Sequence, residues 1–274
     1  KDVVVDSAGE PLQIAMLAYH ALIELGVIYQ VDPTSPFTQV QSNTQVVDSV
    51  SLPRDTLTRL TGDCDDLTAL YATMLETVGI ETAFITTPGH IYVAFNTRVP
   101  ARDYLIVHPD RDMFFVIDEY IWVPVEITLL GRGDFLDAWR FGIDEWSKYE
   151  NETAKRNFIL TREAQSVFRP VGLRETDLGL QYGSPGRISD GFEDDFRELT
   201  NTILASVRDL AQQRGNKRAY NTLGIYAARL GRYDEARDAF ERASRMDATY
   251  LDPRVNLGSV YFLQERYTLA VRAF

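Results

Sequence analysis

The sequence predicts two domains of different class, an α+β domain followed by an all-α helical repeat. Its 274 residues exceed the length of one average domain. The hydrophobic spacing changes from helical to strand-like after Gly79 and returns to helical spacing toward the end of the sequence. In the last part of the chain, four positions recur at a constant offset of 34 residues, which indicates a structural repeat.

The composition is that of an ordinary globular protein, with 45% hydrophobic and 25% charged residues. The net charge of −12 is unevenly distributed. Residues 1–150 contain 9 basic and 23 acidic residues, whereas residues 151–274 contain 19 basic and 17 acidic residues. Phosphate binding requires clustered cations, so nucleic acid is excluded as the main partner of the first half. The most apolar stretch, residues 12–29, is interrupted by polar side chains, and no membrane span is predicted.

The first predicted element is a helix over residues 11–26, where apolar side chains recur at helical spacing. His20 lies within this apolar helix, and we expect it to be in the core or bonded to a partner. Residues 31–54 are rich in Pro, Ser and Thr, which predicts a loop.

A second helix is predicted from Cys64 to Val78 and ends at Gly79. Asp63 is the predicted N-cap. Asp66 follows three residues later, which gives an aspartate version of the capping box. The cysteine therefore lies in the first turn of this helix.

Short runs of β-branched and aromatic residues, separated by Pro and Gly, follow the second helix. They predict an antiparallel sheet that packs on that helix. The predicted strands are residues 81–87, 90–97, 104–109 and 113–128. Residues 134–160 return to helical spacing. The Gly- and Pro-containing segment 165–192 is predicted to connect the two domains, which gives domain boundaries of 1–164 and 193–274.

The repeat in the last domain resembles the tetratricopeptide (TPR) pattern L-G-x8-Y-x2-A-x3-F. Leu223-Gly224 recurs as Leu257-Gly258, Tyr233 as Tyr267, Ala236 as Ala270, and Phe240 as Phe274. The first repeat spans about 219–252, and the second starts at 253 and is truncated. Because one repeat cannot bury its apolar face alone, we expect further repeats beyond this sequence. The resemblance implies a protein partner bound in the TPR groove.

Three side chains on separate predicted elements form a candidate catalytic triad. Cys64 lies at a helix start, where unpaired N–H groups and the helix dipole favour a thiolate. His90 follows a Pro-Gly turn at the start of a strand, and Glu126 interrupts the apolar run of residues 122–128. A thiol, an imidazole and a carboxylate are the groups that nucleophilic acyl transfer requires.

These residues lie in motifs that resemble those of the transglutaminase-like superfamily of cysteine enzymes, which have a papain-like active-site geometry. The motifs are Gly62-Asp63-Cys64, Gly89-His90 and the run from Trp122 to Thr128, and the resemblance covers about residues 40–145. Glu126 stands where many members have Asp. The resemblance implies thiol-dependent acyl transfer on protein or peptide amides, with hydrolysis favoured over transamidation and no cofactor required by the triad.

The resemblance also implies the role of each residue. Cys64 attacks the amide carbonyl, His90 accepts the thiol proton and later protonates the leaving amine, and Glu126 orients the imidazole. The backbone N–H of Cys64 is one oxyanion donor. The candidates for the second donor are Gln39, Gln41 and Gln45. Two alternatives remain open: a catalytically silent scaffold for protein assembly, and a calcium-sensing binding module.

Asp63 and Asp65 flank the candidate nucleophile, and carboxylates next to a thiol oppose thiolate formation. These side chains therefore point away or are neutralised. Some bacterial periplasmic transglutaminase-like proteinases bind calcium through acidic residues at these two positions, so the resemblance implies a calcium site at Asp63 and Asp65. Helix capping and solvated charge are the alternative interpretation.

Cys64 is the only cysteine, so the chain cannot form an intramolecular disulfide. The sequence begins at Lys1 without an initiator Met or a signal peptide. We therefore expect a processed or cut chain whose targeting segment lies outside it. The composition leaves the location open, and the resemblance favours a periplasmic or cell-envelope location over a cytoplasmic one.

Overall fold

A five-stranded antiparallel sheet, with strand order β5-β6-β4-β3-β7, organises the first part of the protein. The computed structural model describes residues 9–31, 50–170, 172–181 and 183–274. The strands are β3 (Thr82–Thr87), β4 (His90–Pro100), β5 (Phe115–Ile117), β6 (Tyr120–Val125) and β7 (Asn157–Leu160). A separate pair, β1 (Ile28–Tyr29) and β2 (Thr61–Gly62), is parallel.

The chain divides into two compact units. One, which we call the sheet unit, is formed by Pro11–Ala101 and Arg111–Phe196. The other, the repeat unit, contains Arg102–Asp110 and Arg197–Phe274. The mixed helix-and-sheet class of the first part and the all-helical class of the C-terminal part agree with the classes that the sequence predicts.

Among the described residues, five helices lie within the sheet unit, and a sixth begins there. They are α1 (Glu10–Leu25), α2 (Pro53–Arg59), α3 (Cys64–Thr77), α4 (Phe135–Ser147), α5 (Thr161–Val167) and α6 (Pro185–Arg214). The helix α3 packs on strand β4, as the sequence predicts. The core between the helices and the sheet is aromatic, and the buried Tyr19 makes edge-on contacts with Tyr71 and Phe135 at ring-centroid distances of 6.5 and 5.8 Å.

The structure corrects the helix predicted over residues 134–160. The helix ends at Ser147, and residues 157–160 form the edge strand β7, which pairs with β3. Its Phe158 packs edge-on against Trp122 at 5.4 Å. Spacing alone does not distinguish a short apolar run in a strand from one in a helix, and here pairing with the sheet edge decides the outcome.

The strand predicted over residues 104–109 is also wrong. Residues 101–106 form a 3-10 helix, and the backbone N–H groups of Val107 and His108 both donate to the carbonyl of Tyr104. The apolar run thus satisfies its backbone locally instead of joining the sheet. The long run 113–128 is divided into the hairpin β5–β6, because Asp118 and Glu119 adopt the left-handed φ values of a two-residue turn, 50° and 68°.

Beyond α6, the repeat unit continues as a series of helices. They are α7 (Lys217–Arg229), α8 (Tyr233–Met246), α9 (Asp252–Leu263) and α10 (Tyr267–Ala273). A Cβ atom on Gly224 would lie only 2.4 Å from Cε1 of Phe240, so α7 and α8 can approach this closely only with glycine there. In the same way, a Cβ atom on Gly258 would lie 2.8 Å from Cε1 of Phe274. The recurring glycine and phenylalanine are therefore the two sides of one helix contact.

Among the described helices, none has both the length and the apolar character that crossing a bilayer requires.

Candidate active site

Cys64 is the first residue of α3, and the chain reaches it through a tight turn from β2. A Cβ atom on Gly62 would lie 2.6 Å from the Cβ atom of Asp66, so only glycine fits two residues before Cys64. Asp63 caps the helix by accepting a hydrogen bond from the N–H of Asp66 at 3.4 Å. The backbone N–H of Cys64 lies at a position that has no acceptor within the helix, and the side chain is half-buried.

His90 and Glu126 are brought together by adjacent strands. His90 begins β4, whereas Glu126 follows the last residue of β6, and Val93 is paired with Val125 in this register. The Nε2 atom of His90 lies 2.6 Å from Oε2 of Glu126. Because an ionised carboxylate only accepts hydrogen bonds, Nε2 is the donor, and the imidazole of His90 carries its proton on that side.

The carboxylate of Glu126 is buried and fixed at both oxygens. While Oε2 accepts from His90, Oε1 accepts from the backbone N–H of Thr128 at 3.2 Å and from its hydroxyl at 2.6 Å. The backbone N–H of Glu126 donates to the carbonyl of Ala138 in α4 at 2.9 Å. Both the side chain and the backbone of Glu126 are therefore held in one position.

The thiol of Cys64 completes this arrangement. It interacts with the side chain of His90, and since Nε2 is occupied by Glu126, Nδ1 is the ring nitrogen left for the thiol. Burial lowers the pKa of His90. The hydrogen bonds to Cys64 and Glu126 and the charges of these two groups outweigh burial and raise the pKa to about 10. The sequence-predicted residues Cys64, His90 and Glu126 thus form a contiguous set whose imidazole readily holds a second proton.

The acidic residues beside Cys64 are also clustered. One carboxylate oxygen from each of Asp63, Asp65 and Asp66 lies within 4.8 Å of the others. Asp66 is already engaged, because it accepts from the backbone N–H of Ser51 at 2.6 Å and lies 3.8 Å from the guanidinium of Arg59. Asp63 and Asp65 are half-buried, and one oxygen of each accepts from the backbone N–H of Asp66. Two converging carboxylates of this kind fit a hard cation such as calcium.

Sequence reasoning missed Tyr29 and Arg132. Burial raises the pKa of the Tyr29 hydroxyl, and the charges of Cys64, Asp63 and Glu126 raise it further. The positive charge of Arg132 lowers this pKa. The guanidinium carbon of Arg132 lies 5.5 Å from the centre of the Tyr29 ring. Tyr29 belongs to a two-residue strand, which is too short to produce a periodic signal in the sequence. The three glutamines predicted as oxyanion donors, Gln39, Gln41 and Gln45, lie outside the described residues.

Comparison with known proteins identifies only part of the chain. No curated protein and no solved structure matches it. A family model described as Tetratricopeptide repeat matches residues 217–250, which are α7, α8 and the turn after them. Residues 217–250 are therefore a tetratricopeptide repeat, and a repeat of this kind indicates a protein partner.

Proposed function

We propose that this protein is a thiol-dependent acyl-transfer enzyme that hydrolyses protein or peptide amides through Cys64, His90 and Glu126. The observation that carries the proposal is the His90–Glu126 contact of 2.6 Å, with the thiol of Cys64 close enough to the same imidazole to raise its pKa. A carboxylate, an imidazole and a thiol in hydrogen-bonded series are the parts of a cysteine-protease triad.

In the first half of the reaction, His90 Nδ1 takes the proton of the Cys64 thiol, and the sulfur attacks the amide carbonyl carbon. The electron pair of the C=O bond moves to oxygen. When the carbonyl re-forms, the C–N bond breaks, and the imidazolium of His90 gives its proton to the leaving amine. Glu126 stabilises the imidazolium through its 2.6 Å hydrogen bond to Nε2.

In the second half, water attacks the thioester carbonyl while His90 accepts one of the water protons. The C–S bond then breaks, the carboxylic acid product leaves, and the thiolate of Cys64 is restored next to the protonated imidazole. The competing interpretation, a catalytically silent scaffold, gives no reason for the burial and double anchoring of the Glu126 carboxylate.

The experiment that tests the proposal is the rate of Cys64 alkylation by iodoacetamide from pH 5 to pH 9. Cys64 is the only cysteine, so the labelling signal is unambiguous. An ordinary thiol has a pKa of about 8.5 and reacts slowly at pH 6, whereas a histidine-paired thiol reacts fast there. We expect a fast reaction at pH 6 that His90→Ala abolishes. The half-buried His108, which is not part of the proposed triad, provides the control, since His108→Ala should leave the profile unchanged.

An unpaired thiol would give a different result. If wild type and His90→Ala react equally and only above about pH 8, the scaffold interpretation is correct and the enzyme proposal is wrong.

We propose in addition that Asp63 and Asp65 hold calcium. A bound cation would offset the negative charge that these carboxylates place next to the thiol of Cys64. The test is thermal unfolding with calcium added to millimolar concentration, in wild type and in the double variant Asp63→Asn/Asp65→Asn. Asparagine at 63 preserves the helix cap, so a stabilisation by calcium that only wild type shows supports the site. No shift in wild type would rule it out.

The repeat unit would supply the protein contact of this enzyme. A tetratricopeptide repeat stacks on its neighbours and forms an extended surface that binds protein segments. We therefore propose that the repeats recruit a protein partner or substrate.

A further inference from the structure

The oxyanion formed during acyl transfer needs two hydrogen-bond donors, and the helix start supplies only one. The backbone N–H of Cys64 lies at the first helical position and points out of the helix start. A second donor must come from an element next to the turn that carries Cys64. In the described part of the chain, β1 is the strand that runs along this turn.

The strand β1 is aligned with the residues immediately before the nucleophile. In the parallel pair of β1 and β2, Ile28 is opposite Thr61 and Tyr29 is opposite Gly62, two residues before Cys64. The backbone N–H of Gln30 donates to the carbonyl of Gly62 at 3.0 Å, and that of Ile28 donates to the carbonyl of Leu60 at 3.1 Å. Paired strands lie about 4.8 Å apart, so the side chain of Tyr29 begins one strand spacing from the turn into α3.

Side-chain alternation decides which residue of this segment faces the thiol. Gln30 turns its amide oxygen toward Thr61, whose hydroxyl donates to it at 3.2 Å. Consecutive side chains in a strand point to opposite faces, so Tyr29 faces the other way. Its hydroxyl lies within electrostatic range of the Cys64 thiol and of the Glu126 carboxylate.

The ring of Tyr29 also has a charged neighbour. The guanidinium carbon of Arg132 lies 5.5 Å from its centre. Among the described residues, the Tyr29 hydroxyl makes no hydrogen bond. A phenol beside a nucleophile can donate a hydrogen bond and is therefore suited to stabilise developing negative charge.

We propose that the hydroxyl of Tyr29 is the second oxyanion donor, acting together with the backbone N–H of Cys64. This assignment rests on the proposed acyl-transfer function. Tyr29 transfers no proton in this role. The Cys64 sulfur bonds to the carbonyl carbon, and the C=O electron pair moves to oxygen. The phenol donates a hydrogen bond to that oxygen. This hydrogen bond weakens again when the carbonyl re-forms.

The test separates attack on a carbonyl from the reactivity of the thiol itself. Acylation is measured with 4-nitrophenyl acetate, which releases 4-nitrophenolate when the thiol attacks, and alkylation is measured with iodoacetamide, which forms no oxyanion. In Tyr29→Phe, we expect kcat for acylation to fall by about 100-fold with little change in KM, because one oxyanion donor is lost. The alkylation rate at pH 6 should equal that of wild type.

The matched control is Tyr120→Phe, which removes a hydroxyl from a partly exposed tyrosine at the start of β6. It should leave both rates unchanged. Equal acylation rates in Tyr29→Phe and wild type would overturn the assignment, and so would an equal fall in acylation and alkylation, which would mean that Tyr29 acts on the thiol alone. Failure of the function itself is recognised separately, because wild type would then show no fast alkylation at pH 6 and no acylation above that of Cys64→Ala.

Discussion

Thr128 donates to one oxygen of Glu126 through both its amide and its hydroxyl, at 3.2 and 2.6 Å. The hydroxyl therefore holds the carboxylate in the orientation that meets His90. We expect Thr128→Val to slow alkylation of Cys64 at pH 6 by about fivefold, because a hydrogen bond of this type contributes about 1 kcal/mol. Thr128→Ser keeps the hydroxyl and should behave as wild type. If valine and serine give the same rate, the hydroxyl does not position the carboxylate.

The raised pKa of His90 makes the stability of the sheet unit depend on pH. The pKa is about 10 in the folded protein, against about 6.5 for an ordinary histidine. Because the folded value is the higher one, protonated His90 stabilises the folded state fully below about pH 6.5, and this contribution is lost as pH rises through 10.

The measurement that checks this dependence is urea unfolding of wild type and His90→Gln at pH 6, 8 and 10, followed by tryptophan fluorescence. All three tryptophans, Trp122, Trp139 and Trp146, lie in the sheet unit and report on it. The difference in free energy of unfolding between the two proteins should be largest at pH 6 and smallest at pH 10. A difference that grows with pH would contradict the assigned charge state.

At the scale of elements, the sequence predicts long amphipathic segments better than short ones. The helix that starts at Cys64 and the antiparallel strands that carry His90 and Glu126 are confirmed, because capping residues and alternation act locally. The edge strand β7 and the two-residue strand β1 were not predicted, since each is defined by its pairing with a distant segment. A single sequence contains no local signal for such pairing.

The contact between α7 and α8 gives a prediction at the same scale. A Cβ atom on Gly224 would lie 2.4 Å from Phe240, so Gly224→Ala forces the two helices apart. Overpacking of this kind costs about 1–3 kcal/mol, which exceeds the gain in helix propensity from alanine.

The readout for Gly224→Ala is thermal unfolding of the full chain, followed by far-ultraviolet circular dichroism. Thr222→Ala on the same helix is the control, because Thr222 is exposed and alanine there should leave stability unchanged or slightly raise it. A Gly224→Ala protein as stable as Thr222→Ala would show that the two helices can separate at no cost.

At the scale of the whole molecule, the candidate site combines residues that are far apart in the chain. The proposed triad spans residues 64 to 126 and is predictable, because a sequence motif marks each member. The role of Tyr29 and the buried pair of His20 with Asp195 are not predictable from the sequence, since each depends on the tertiary arrangement of helices and strands. The prediction that His20 is a core or partner-bonded histidine is confirmed, but its partner, Asp195, lies 175 residues away.

Asp195 joins three parts of the sheet unit. Its Oδ2 atom accepts from Nε2 of His20 in α1 at 2.6 Å and from the backbone N–H of Phe135, the first residue of α4, at 3.1 Å. Asp195 and His20 are only 3% and 9% exposed, so water cannot replace a lost partner. The first turn of α4 also contains Ala138, whose carbonyl accepts from the backbone N–H of Glu126.

We therefore expect Asp195→Ala to destabilise the sheet unit by about 3–5 kcal/mol, because it leaves a buried histidine and a helix N–H without their acceptor. Asp195→Asn removes the negative charge but keeps a side-chain oxygen that can accept from these donors, and it should cost less. Asp194→Ala changes the preceding, exposed residue of the same helix and serves as the control. Urea unfolding followed by tryptophan fluorescence measures all three. If Asp195→Ala is no less stable than Asp194→Ala, the pair of His20 and Asp195 does not hold these helices together.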